Sequence, residues 1–406
     1  MGTEFLEIID VDDARMIIGE LVDELYSRGS EVVEIGDAAG RVLAVDVESP
    51  IDLPPFDRAS RDGYAVVAAD TFGAGDENPV RLKCIEMVEA GSIPSLRVTE
   101  GFCTRISTGA PVPEGADAIV MVEYTEADGD DVFIYRPAYP SQHIGARGSD
   151  IKEGEILLHS GTLLSPDKVA ALSAAGISSV RVISEPSVYV ISTGNELIGP
   201  SETLEPGRIF DSNSAGIAAA LEEAGCSVIH GGIVRDDHHE LREAISRGVE
   251  EADLVITSGG TSAGTGDVLS DVLEELGEVL IHGISMKPGK PTIVGVVSGK
   301  IVIGLPGFPV AALLVFKSLI DPFLRKLSGM KASEESVKTF KLSERFHSSK
   351  GRVQYALVRV DGGYAHPIFR DSGAIASLAQ ADGYIEIPKN VEILHEGEDV
   401  QVFLFE

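Results

Sequence analysis

Hydrophobic and polar positions recur along the chain with a period that changes from one stretch to the next. Over residues 10–28 the apolar side chains recur every three or four positions, which predicts an amphipathic helix with Asp10 or Asp12 available as its cap. From about residue 31 to residue 160, short β-like runs are separated by Gly, Pro and Asp. That pattern is typical of a region built from short strands.

Between residues 187 and 310, strands and helices are predicted in alternation, after a helix that begins at Ser165-Pro166. Such alternation is typical of a mostly parallel sheet with helices on both faces. The predicted strands are SVYVIS, SVIHG, DLVITS, TIVGVV and KIVIGL, and the predicted helices are 214–224, 238–251, 267–276 and 308–327, the last interrupted at Pro322.

The last part of the chain, residues 338–406, returns to short strands such as VQYALVRV and YIEIP. A change in composition at Ser328-Gly329 separates it from the alternating stretch. We therefore expect a multidomain fold of class α/β plus β, with a central, mostly parallel α/β domain and a small β domain at the end.

The charge of the chain limits its partners. Among 406 residues, 65 are acidic and 33 are basic, which gives a formal charge of −32. This excess argues against binding to nucleic acid or to an anionic membrane, and an anionic substrate would need a locally basic site. Three distant cysteines without a CxxC pair, and the lack of a signal-peptide pattern or an apolar run of about 20 residues, indicate a cytoplasmic protein.

Polar residues follow the predicted strands of the α/β stretch at the point where each strand ends. In sheets of this class ligands bind at the carboxyl ends of the strands, so these loops together point to one site. The loops are 193–196, 235–237, 258–267 and 306–309.

The loop 258–267 has the features of an anion cradle. Its glycines let backbone N–H groups approach a ligand, its hydroxyls donate hydrogen bonds, and it ends at a helix N-terminus. A Gly/Ser/Thr loop is also a common turn, so its place after a strand is what favours a ligand site. The residues concerned are Ser258, Gly259, Gly260, Ser262 and Gly264.

Glu196, Asp236 and Asp267 belong to three of these loops. Carboxylates beside a phosphate cradle supply the hard oxygen ligands that Mg²⁺ prefers. The alternative is that these carboxylates only cap helices, since Asp236 and Asp267 lie where caps are expected.

Lys287 and Lys290 lie in the segment MKPGKP, a stiff Pro/Gly frame between two predicted strands. Lysines on loops are usually solvated, but two rigidly held ammonium groups in an acid-rich chain favour an anion site. A G-x-S-x-G match at 260–264 would suggest a serine hydrolase. We disfavour that interpretation because no later histidine follows a strand in a glycine-rich loop.

A second group of polar loops lies outside the α/β stretch. It consists of 54–65, with two Asp and two Arg, the hydroxyl-rich turn segment 105–113, and HIGARGSD at 143–150. Ordinary turn chemistry remains an alternative explanation for each of these segments.

Together these motifs resemble the molybdopterin molybdotransferase family, which includes MoeA and the related gephyrin E domain. The motifs occur in the order typical of the family and span most of the chain, with the weakest match after about residue 330. They are PPFDRASRDGYAV (54–66), RISTGAPVPEGADAIVM (105–121), STGNEL (192–197), RDD (235–237), TSGGTSAGTGD (257–267), MKPGKP (286–291) and GLPGFPVAAL (304–313).

The resemblance implies a homodimer in which the active site is shared between the α/β domain of one subunit and the β insertion of the other. It also implies contact with the adenylyltransferase of the preceding step. The implied domains are an elongated N-terminal domain (1–47 and 150–182), an inserted β domain (48–149), an α/β molybdopterin-binding domain (183–329) and a C-terminal β domain (330–406).

The implied reaction is insertion of molybdate, or tungstate, into adenylylated molybdopterin with Mg²⁺-dependent release of AMP. By motif, Glu196, Asp236 and Asp267 would hold Mg²⁺, and Lys287 and Lys290 would neutralise oxyanion charge. Further substrate contacts would come from the cradle residues named above and from Asp62, Thr108, Arg147, Asp150, Pro306, Pro309, Arg352 and Ser372, of which Asp62, Thr108, Arg147 and Asp150 would belong to the partner subunit.

The sequence departs from the family pattern at Asn195, where Asp is frequent, and at Phe308, where Asn is usual. Two alternative functions remain open. One is an adenylyltransferase-like enzyme, whose single domain resembles residues 181–329, and the other is a non-catalytic molybdopterin-binding or scaffold module.

Overall fold

The computed structural model describes residues 8–260, 268–330, 337–369 and 373–405. The chain divides into two compact units. The first unit comprises Met1–Glu31, Gly40–Val42 and Ile183–Glu406, and the second comprises Val32–Ala39 and Leu43–Val182. Within the described ranges, no helix is both long enough and apolar enough to cross a membrane.

Helix α1, Val11–Leu25, confirms the predicted amphipathic helix. It buries Ala14, Ile18 and Val22 in the main core of the first unit. Asp10 occupies the N-cap position, but its side chain makes no capping hydrogen bond. Of the two predicted cap residues, Asp10 therefore takes the cap position, while its carboxylate accepts a hydrogen bond from Lys389 Nζ at 2.7 Å.

The segment from Ser30 to Ile183 consists mainly of short strands, as predicted. Its largest sheet has the order β7-β4-β6-β5-β9-β8. A Cβ at Gly63 of β4 would lie 2.0 Å from the Val120 carbonyl oxygen of β7, so these strands can approach only through glycine. The elements are β1 Ser30–Glu34, β2 Val47–Glu48, β3 Arg58–Ala59, β4 Gly63–Val66, β5 Val80–Val88, β6 Phe102–Ile106, β7 Ala118–Met121, β8 Thr125–Asp128, β9 Asp131–Ile134, β10 Ile144–Gly145, β11 Ile156–Leu158, α2 Pro166–Ala174 and β12 Ser179–Ile183, with 3₁₀ turns at Ile35–Asp37, Ala68–Thr71 and Val122–Tyr124.

The α/β part of the first unit has a sheet of order β16-β13-β17-β21-β20-β18. The first four of these run parallel, and β20 is antiparallel to both of its neighbours, which confirms the expected mostly parallel sheet. The elements are β13 Ser187–Thr193, β14 Leu197–Ile198, β15 Ile209–Phe210, α3 Asn213–Glu223, β16 Ser227–Val234, α4 His238–Glu251, β17 Leu254–Ser258, α5 Val268–Leu276, β18 Gly277–His282, β19 Met286–Lys287, β20 Ile293–Val297 and β21 Lys300–Leu305.

Two features of this part differ from the predictions. Strand β18 was not predicted, because it follows α5 without an intervening turn residue and only one of its side chains, Ile281, is fully buried. The helix 308–327, predicted with an interruption at Pro322, consists of α6 Pro309–Val315, a π-helical segment Phe316–Ile320 and α7 Asp321–Leu327, so the interruption is confirmed and the π-helical segment was not predicted. Asp321 and Pro322 begin a new helix there, because proline has no N–H to continue the old one.

The C-terminal sheet has the order β19-β24-β25-β22-β28-β26, and β24 also pairs with β26, so it closes into a small barrel. Val358, Ala365 and Val402 lie fully buried in its interior. Strand β19 of this sheet comes from the loop between β18 and β20, so the barrel is joined to the α/β part by main-chain pairing. The elements are β22 Val337–Leu342, β23 Phe346–His347, β24 Val353–Asp361, β25 Tyr364–Pro367, α8 Ile375–Gln380, β26 Gly383–Ile387, β27 Ile393–Leu394 and β28 Asp399–Leu404.

Candidate functional site

Four parallel strands of the α/β sheet end level with one another. Thr193 of β13 pairs with Val234 of β16, Ser192 pairs with Ser258 of β17, and Ser258 pairs with Leu305 of β21. The loops that follow these strands therefore start side by side at one edge, which we call the carboxyl edge. The loop 283–292 reaches the same edge, because the end of β18 is paired with the start of β20, and the start of β20 with the end of β21.

Asp236 is held at the carboxyl edge by a hydroxyl of the neighbouring strand. Thr193 Oγ1 donates a hydrogen bond to Asp236 Oδ1 at 2.5 Å. The next residue, Asp237, is the N-cap of α4 and accepts from the N–H groups of His239 and Glu240 at 2.9 and 3.0 Å. The hydrogen bond from the backbone N–H of Glu240 is the main reason why the pKa of Asp237 is lowered. The alternative in which Asp236 caps the helix is therefore wrong.

Glu196 lies in the loop that leaves β13. Both of its carboxylate oxygens are 3.0 Å from the point where a Cβ of Gly194 would lie, so the side chain folds back over its own loop. The loop is fixed by two main-chain bonds, from Gly194 N–H to the Val234 carbonyl at 3.1 Å and from Ile209 N–H to the Glu196 carbonyl at 2.9 Å. Glu196 and Asp236 thus lie on two adjacent loops of the carboxyl edge.

The start of the predicted anion cradle requires its glycines. Gly259 has φ +99°, its N–H donates to the Leu305 carbonyl at 3.1 Å, and an added Cβ would lie 2.2 Å from the Thr193 carbonyl oxygen. Gly260 has φ +70°, and its Cβ position is 3.2 Å from Thr193 Cγ2. Two successive left-handed residues therefore turn the chain directly over the end of β13. Ser262, Gly264 and Asp267 lie outside the described residues.

Asn213, the first residue of α3, connects two loops of the carboxyl edge and was not predicted to do so. Its Nδ2 donates to Ser258 Oγ at 2.7 Å and to the Gly307 carbonyl at 2.8 Å. Its Oδ1 is buried and accepts no hydrogen bond from any described residue. In the sequence, the polar run DSNS at 211–214 indicates that a helix begins there. It does not indicate which residues Asn213 contacts.

The two lysines of MKPGKP lie on the loop 283–292, between β18 and β20. Lys287 belongs to β19, which pairs with β24 of the barrel, and its Nζ donates to Ser349 Oγ at 2.8 Å. Lys290 is half-buried, and its ammonium group forms no ion pair or hydrogen bond within the described ranges. Gly289 between them has φ +116° and a Cβ position only 2.5 Å from Val315 Cγ2, so the turn is tightly packed.

The remaining predicted contacts of the first unit lie near these loops in the sequence. Pro306 is buried directly after β21, and Pro309 begins α6. Arg352 is exposed next to the start of β24, the strand that pairs with β19. Ser372 lies outside the described residues.

The second unit brings together the three segments 54–65, 105–113 and 143–150. Asp62 Oδ1 accepts from the backbone N–H of Thr108 at 2.6 Å and from its hydroxyl at 2.8 Å. Both bonds favour the carboxylate form, so the N–H and then the hydroxyl of Thr108 lower the pKa of Asp62. His143 is tied to the same region, since its carbonyl accepts from the N–H of Ser60 at 2.9 Å.

Arg147 is partly committed inside the second unit. Its Nε donates to Asp52 Oδ2 at 2.6 Å, and its backbone N–H donates to Asp57 Oδ1 at 2.7 Å. The backbone N–H of Glu153 and then the Arg147 guanidinium lower the pKa of Asp52. Asp150 is exposed, and its N–H donates to the Leu53 carbonyl at 2.9 Å. Asp52, the partner of Arg147, was not singled out from the sequence.

The donor set at the carboxyl edge suits a hard cation but is incomplete within the described residues. Glu196 and Asp236 supply carboxylate oxygens, and one oxygen of Asp236 is occupied by the Thr193 hydroxyl. Across 8–260, 268–330, 337–369 and 373–405, no cluster of three His, Cys, Asp or Glu side chains is placed to hold a metal ion. These two residues fit Mg²⁺ by their chemistry, with a third ligand still required.

Comparison with known proteins identifies the family. The chain is 34% identical over 407 residues to a putative molybdopterin biosynthesis protein of Methanocaldococcus jannaschii, an alignment that covers 98% of each chain. It is 37% identical over 386 residues to molybdopterin molybdenumtransferase 2 of Mycobacterium tuberculosis, covering 91% of this chain and 94% of that one. The chain belongs to the molybdopterin molybdotransferase (MoeA) family.

Family models match nearly the whole length of this MoeA-family chain. Residues 9–176 match the MoeA N-terminal region (domains I and II), 189–326 a probable molybdopterin-binding domain, and 339–405 the MoeA C-terminal region (domain IV). Among solved structures, a molybdopterin biosynthesis MoeA protein of Pyrococcus horikoshii is similar over 98% of this chain and 100% of that one, with a TM-score of 0.83 and 42% identity.

The turn at Gly259 yields a first prediction. Replacing Gly259 with Ala places a Cβ against the Thr193 carbonyl in a left-handed residue, which should lower the free energy of unfolding by about 3 kcal/mol or more. Gly299 is a matched control, because its φ is +77° and a Cβ there meets nothing within 4 Å. Gly299→Ala should cost only about 1–2 kcal/mol, from its backbone conformation alone. Equal losses for the two variants in urea unfolding would contradict the close approach.

The bond pair at Asp62 yields a second prediction. Thr108→Val removes the hydroxyl donor, so the pKa of Asp62 should rise towards that of an ordinary carboxyl, while Thr108→Ser should keep it low. Because the folded state lowers this pKa, its contribution to stability is present above the unfolded pKa and is lost as the pH falls through the folded one. Carboxyl NMR titration of the wild type and both variants measures the shift. An unchanged Asp62 pKa in Thr108→Val would show that the hydroxyl bond has no effect.

Proposed function

We propose that this chain is a molybdopterin molybdotransferase that inserts molybdate, or tungstate, into adenylylated molybdopterin and releases AMP. The observation that carries the proposal is the level alignment of four strand ends, which places a glycine turn, two carboxylates and two lysines in the loops of one sheet edge. A substrate with a pyrophosphate group and an attacking oxyanion needs this combination of donors and charges. Membership of the MoeA family supports the same assignment.

The glycine turn supplies the phosphate contacts in this proposal. Gly259 turns the chain where it leaves β17, and because its own N–H is bound to the Leu305 carbonyl, the N–H groups assigned to phosphate begin at Gly260. The Asn213 bridge keeps Ser258 and Gly307 in fixed relative positions. Backbone donors held in advance bind a phosphate without reorganising. The residues assigned to the substrate here are Ser258, Gly259, Gly260, Pro306 and Pro309, with Ser262 and Gly264 added from the family motif.

Lys287 and Lys290 would neutralise the charges of molybdate and pyrophosphate as they approach each other. Repulsion between two anions is the main barrier to bringing them together, and positioned cations lower it. Lys287 is oriented by Ser349, and the half-buried Lys290 has no described partner that would compete with a ligand. No covalent protein nucleophile is required, because an oxygen of molybdate attacks the phosphorus on the molybdopterin side and AMP leaves. The bond between that oxygen and molybdenum breaks as the two dithiolene sulfurs bind molybdenum, so the oxygen stays on the molybdopterin phosphate.

Mg²⁺ would be held by Glu196, Asp236 and Asp267 and would supply charge neutralisation at the phosphate oxygens. The role of Thr193 follows from its own hydrogen bond. By donating to Oδ1, it fixes the Asp236 carboxylate in one rotamer and leaves Oδ2 available. Arg352 and Ser372, taken from the local sequences KGR and DSG, would add oxyanion contacts from the C-terminal part of the chain.

The activity is tested directly with purified protein, adenylylated molybdopterin, Mg²⁺ and molybdate, by following AMP. We expect AMP release that increases with molybdate. AMP formed at the same rate without an oxyanion, or no AMP at all, would contradict the transferase, and formation of the adenylylated substrate from ATP would indicate the adenylyltransferase instead. Substituting tungstate for molybdate in the same assay compares the two oxyanions.

Two adjacent carboxylates provide a matched pair of variants for the metal assignment. Asp236→Asn keeps an oxygen for the Thr193 hydroxyl but removes the charge, and should lower the rate of AMP release about 100-fold or more. Asp237→Asn should leave the rate nearly unchanged, because Asn is as good an N-cap as Asp. Circular dichroism of both variants checks the fold. If Asp236→Asn keeps the wild-type rate, Asp236 has no role in holding the metal.

We propose further that the chain acts as a homodimer with a shared site, to which the partner contributes its inserted β domain with Asp62, Thr108, Arg147 and Asp150. The support is that the chain carries a second polar cluster in a unit separate from the carboxyl edge. Sedimentation at micromolar concentration should give a dimer.

Complementation gives a sharper test of the shared site. Asp62→Asn and Asp236→Asn should each be inactive alone, whereas an equal mixture after subunit exchange should recover about one quarter of wild-type activity, from one intact site per mixed dimer. A monomer in sedimentation, or a mixture as inactive as its components, would contradict the shared site.

A further inference from the structure

Phe308 is an exposed aromatic ring next to the carboxyl edge. The residue is 62% exposed to solvent, and it follows Gly307 in the loop between β21 and α6. The neighbouring functional groups in that edge are carboxylates, hydroxyls, amides and ammonium groups, so a large apolar ring there contrasts with its surroundings. Single exposed apolar residues are common on protein surfaces, so exposure alone does not indicate that Phe308 binds a ligand.

The backbone fixes where the ring can lie. Phe308 occupies the N-cap position of α6, and its side chain cannot accept the capping hydrogen bond that a polar residue would make. On its N-terminal side, the Gly307 carbonyl is held by Asn213 Nδ2 at 2.8 Å, and on its C-terminal side Pro309 begins the helix. The backbone that carries the ring is therefore fixed on both sides. The ring itself makes no capping hydrogen bond that would stabilise α6.

Gly373 lies beside the Phe308 ring. A Cβ at Gly373 would lie 3.4 and 3.5 Å from Cδ1 and Cε1 of the Phe308 ring, so backbone of the C-terminal part of the chain packs against one side of the ring. Gly373 does not have a left-handed φ, and its conformation alone does not require glycine. The absence of a side chain there keeps atoms away from the ring, which stays largely exposed although the backbone is close.

We propose that Phe308 is a substrate-binding residue that stacks on a planar heteroaromatic ring of the ligand bound at the carboxyl edge. The inference rests on the proposed function, because adenylylated molybdopterin carries two such rings, a pterin and an adenine. A largely exposed phenyl ring beside loops assigned to phosphate is suited to a ligand with both parts. Stacking on an aromatic side chain accepts any planar base, so the geometry alone does not distinguish the two rings.

The composition of the chain makes a direct measurement possible. The chain has no tryptophan, so Phe308→Trp places a single indole at this position. Its fluorescence is titrated with adenosine 5′-monophosphate, with a pterin that carries a phosphorylated side chain, and with ribose 5-phosphate, which has phosphate but no aromatic ring. We expect quenching by at least one ring-bearing ligand and none by ribose 5-phosphate, and the ligand that quenches identifies the ring.

Tyr364→Trp is the matched control for non-specific quenching and light absorption by the ligands. Tyr364 is 45% exposed and pairs with Asp361 at one end of β24, whereas the other end of β24 pairs with Lys287. The two ends are separated by roughly 20 Å along the strand. Equal quenching in Tyr364→Trp and Phe308→Trp, or no quenching of Phe308→Trp by either ring-bearing ligand, would overturn the proposal.

A second pair of variants tests the contribution of the ring to affinity without a new fluorophore. In calorimetry, Phe308→Ala should bind the quenching ligand about tenfold more weakly, Phe308→Tyr should bind nearly as the wild type does, and both should leave the affinity for ribose 5-phosphate unchanged. Wild-type affinity of Phe308→Ala for both ring-bearing ligands would overturn the stacking role.

The outcomes separate this inference from the proposed function. If the wild type releases no AMP in response to molybdate but Phe308→Ala still loses affinity for a ring-bearing ligand, the transferase proposal fails and the stacking role stands. If AMP release is normal and Phe308→Ala binds both ring-bearing ligands like the wild type, the transferase proposal stands and the stacking role of Phe308 fails.

Discussion

The contact on which the candidate site depends is the close approach of Gly259 to the end of β13. A hydrogen atom on Cα is all that fits between this residue and the Thr193 carbonyl, and the Gly259 N–H is simultaneously bound to Leu305 on the other side. Three strand ends are thereby fixed together at one point. The Thr193 side chain, on the same residue, orients Asp236. The turn over the strand, the nearby carboxylate and the start of the β21 loop are therefore parts of one arrangement.

Much of this arrangement could be predicted from the sequence because parallel sheets follow simple rules. Apolar strand runs such as SVYVIS and DLVITS are unambiguous, and loops after parallel strands must share an edge. Side-chain partners are different, because they depend on distances of a few tenths of an ångström between distant parts of the chain. Asp236 and Asp237 are adjacent and chemically identical, yet one binds a neighbouring strand and the other caps a helix. The bridge from Asn213 to Ser258 and Gly307 was likewise not predictable, since 45 and 94 residues separate these partners.

The net charge of −32 is compatible with an anionic ligand because the cations at the carboxyl edge are held in place. Lys287 is oriented by a β-bridge and a serine hydroxyl, and Lys290 by the packed turn at Gly289. By contrast, Arg147 in the second unit is paired with Asp52, so its charge is partly neutralised within its own unit. A positive site in this protein therefore depends on the orientation of a few groups. Their number matters less, since acidic residues outnumber basic ones almost two to one.

The strand β19 has a consequence for how proteins of this architecture can change over evolutionary time. Its two residues lie in sequence between β18 and β20 of the α/β sheet but pair with β24 of the barrel. A recombination event that exchanged the barrel for an unrelated module would remove the strand against which Met286 and Lys287 are aligned. A replacement for the barrel would have to offer this loop an equivalent strand, so the edge of the barrel at β24 and the loop that carries these lysines are expected to change together.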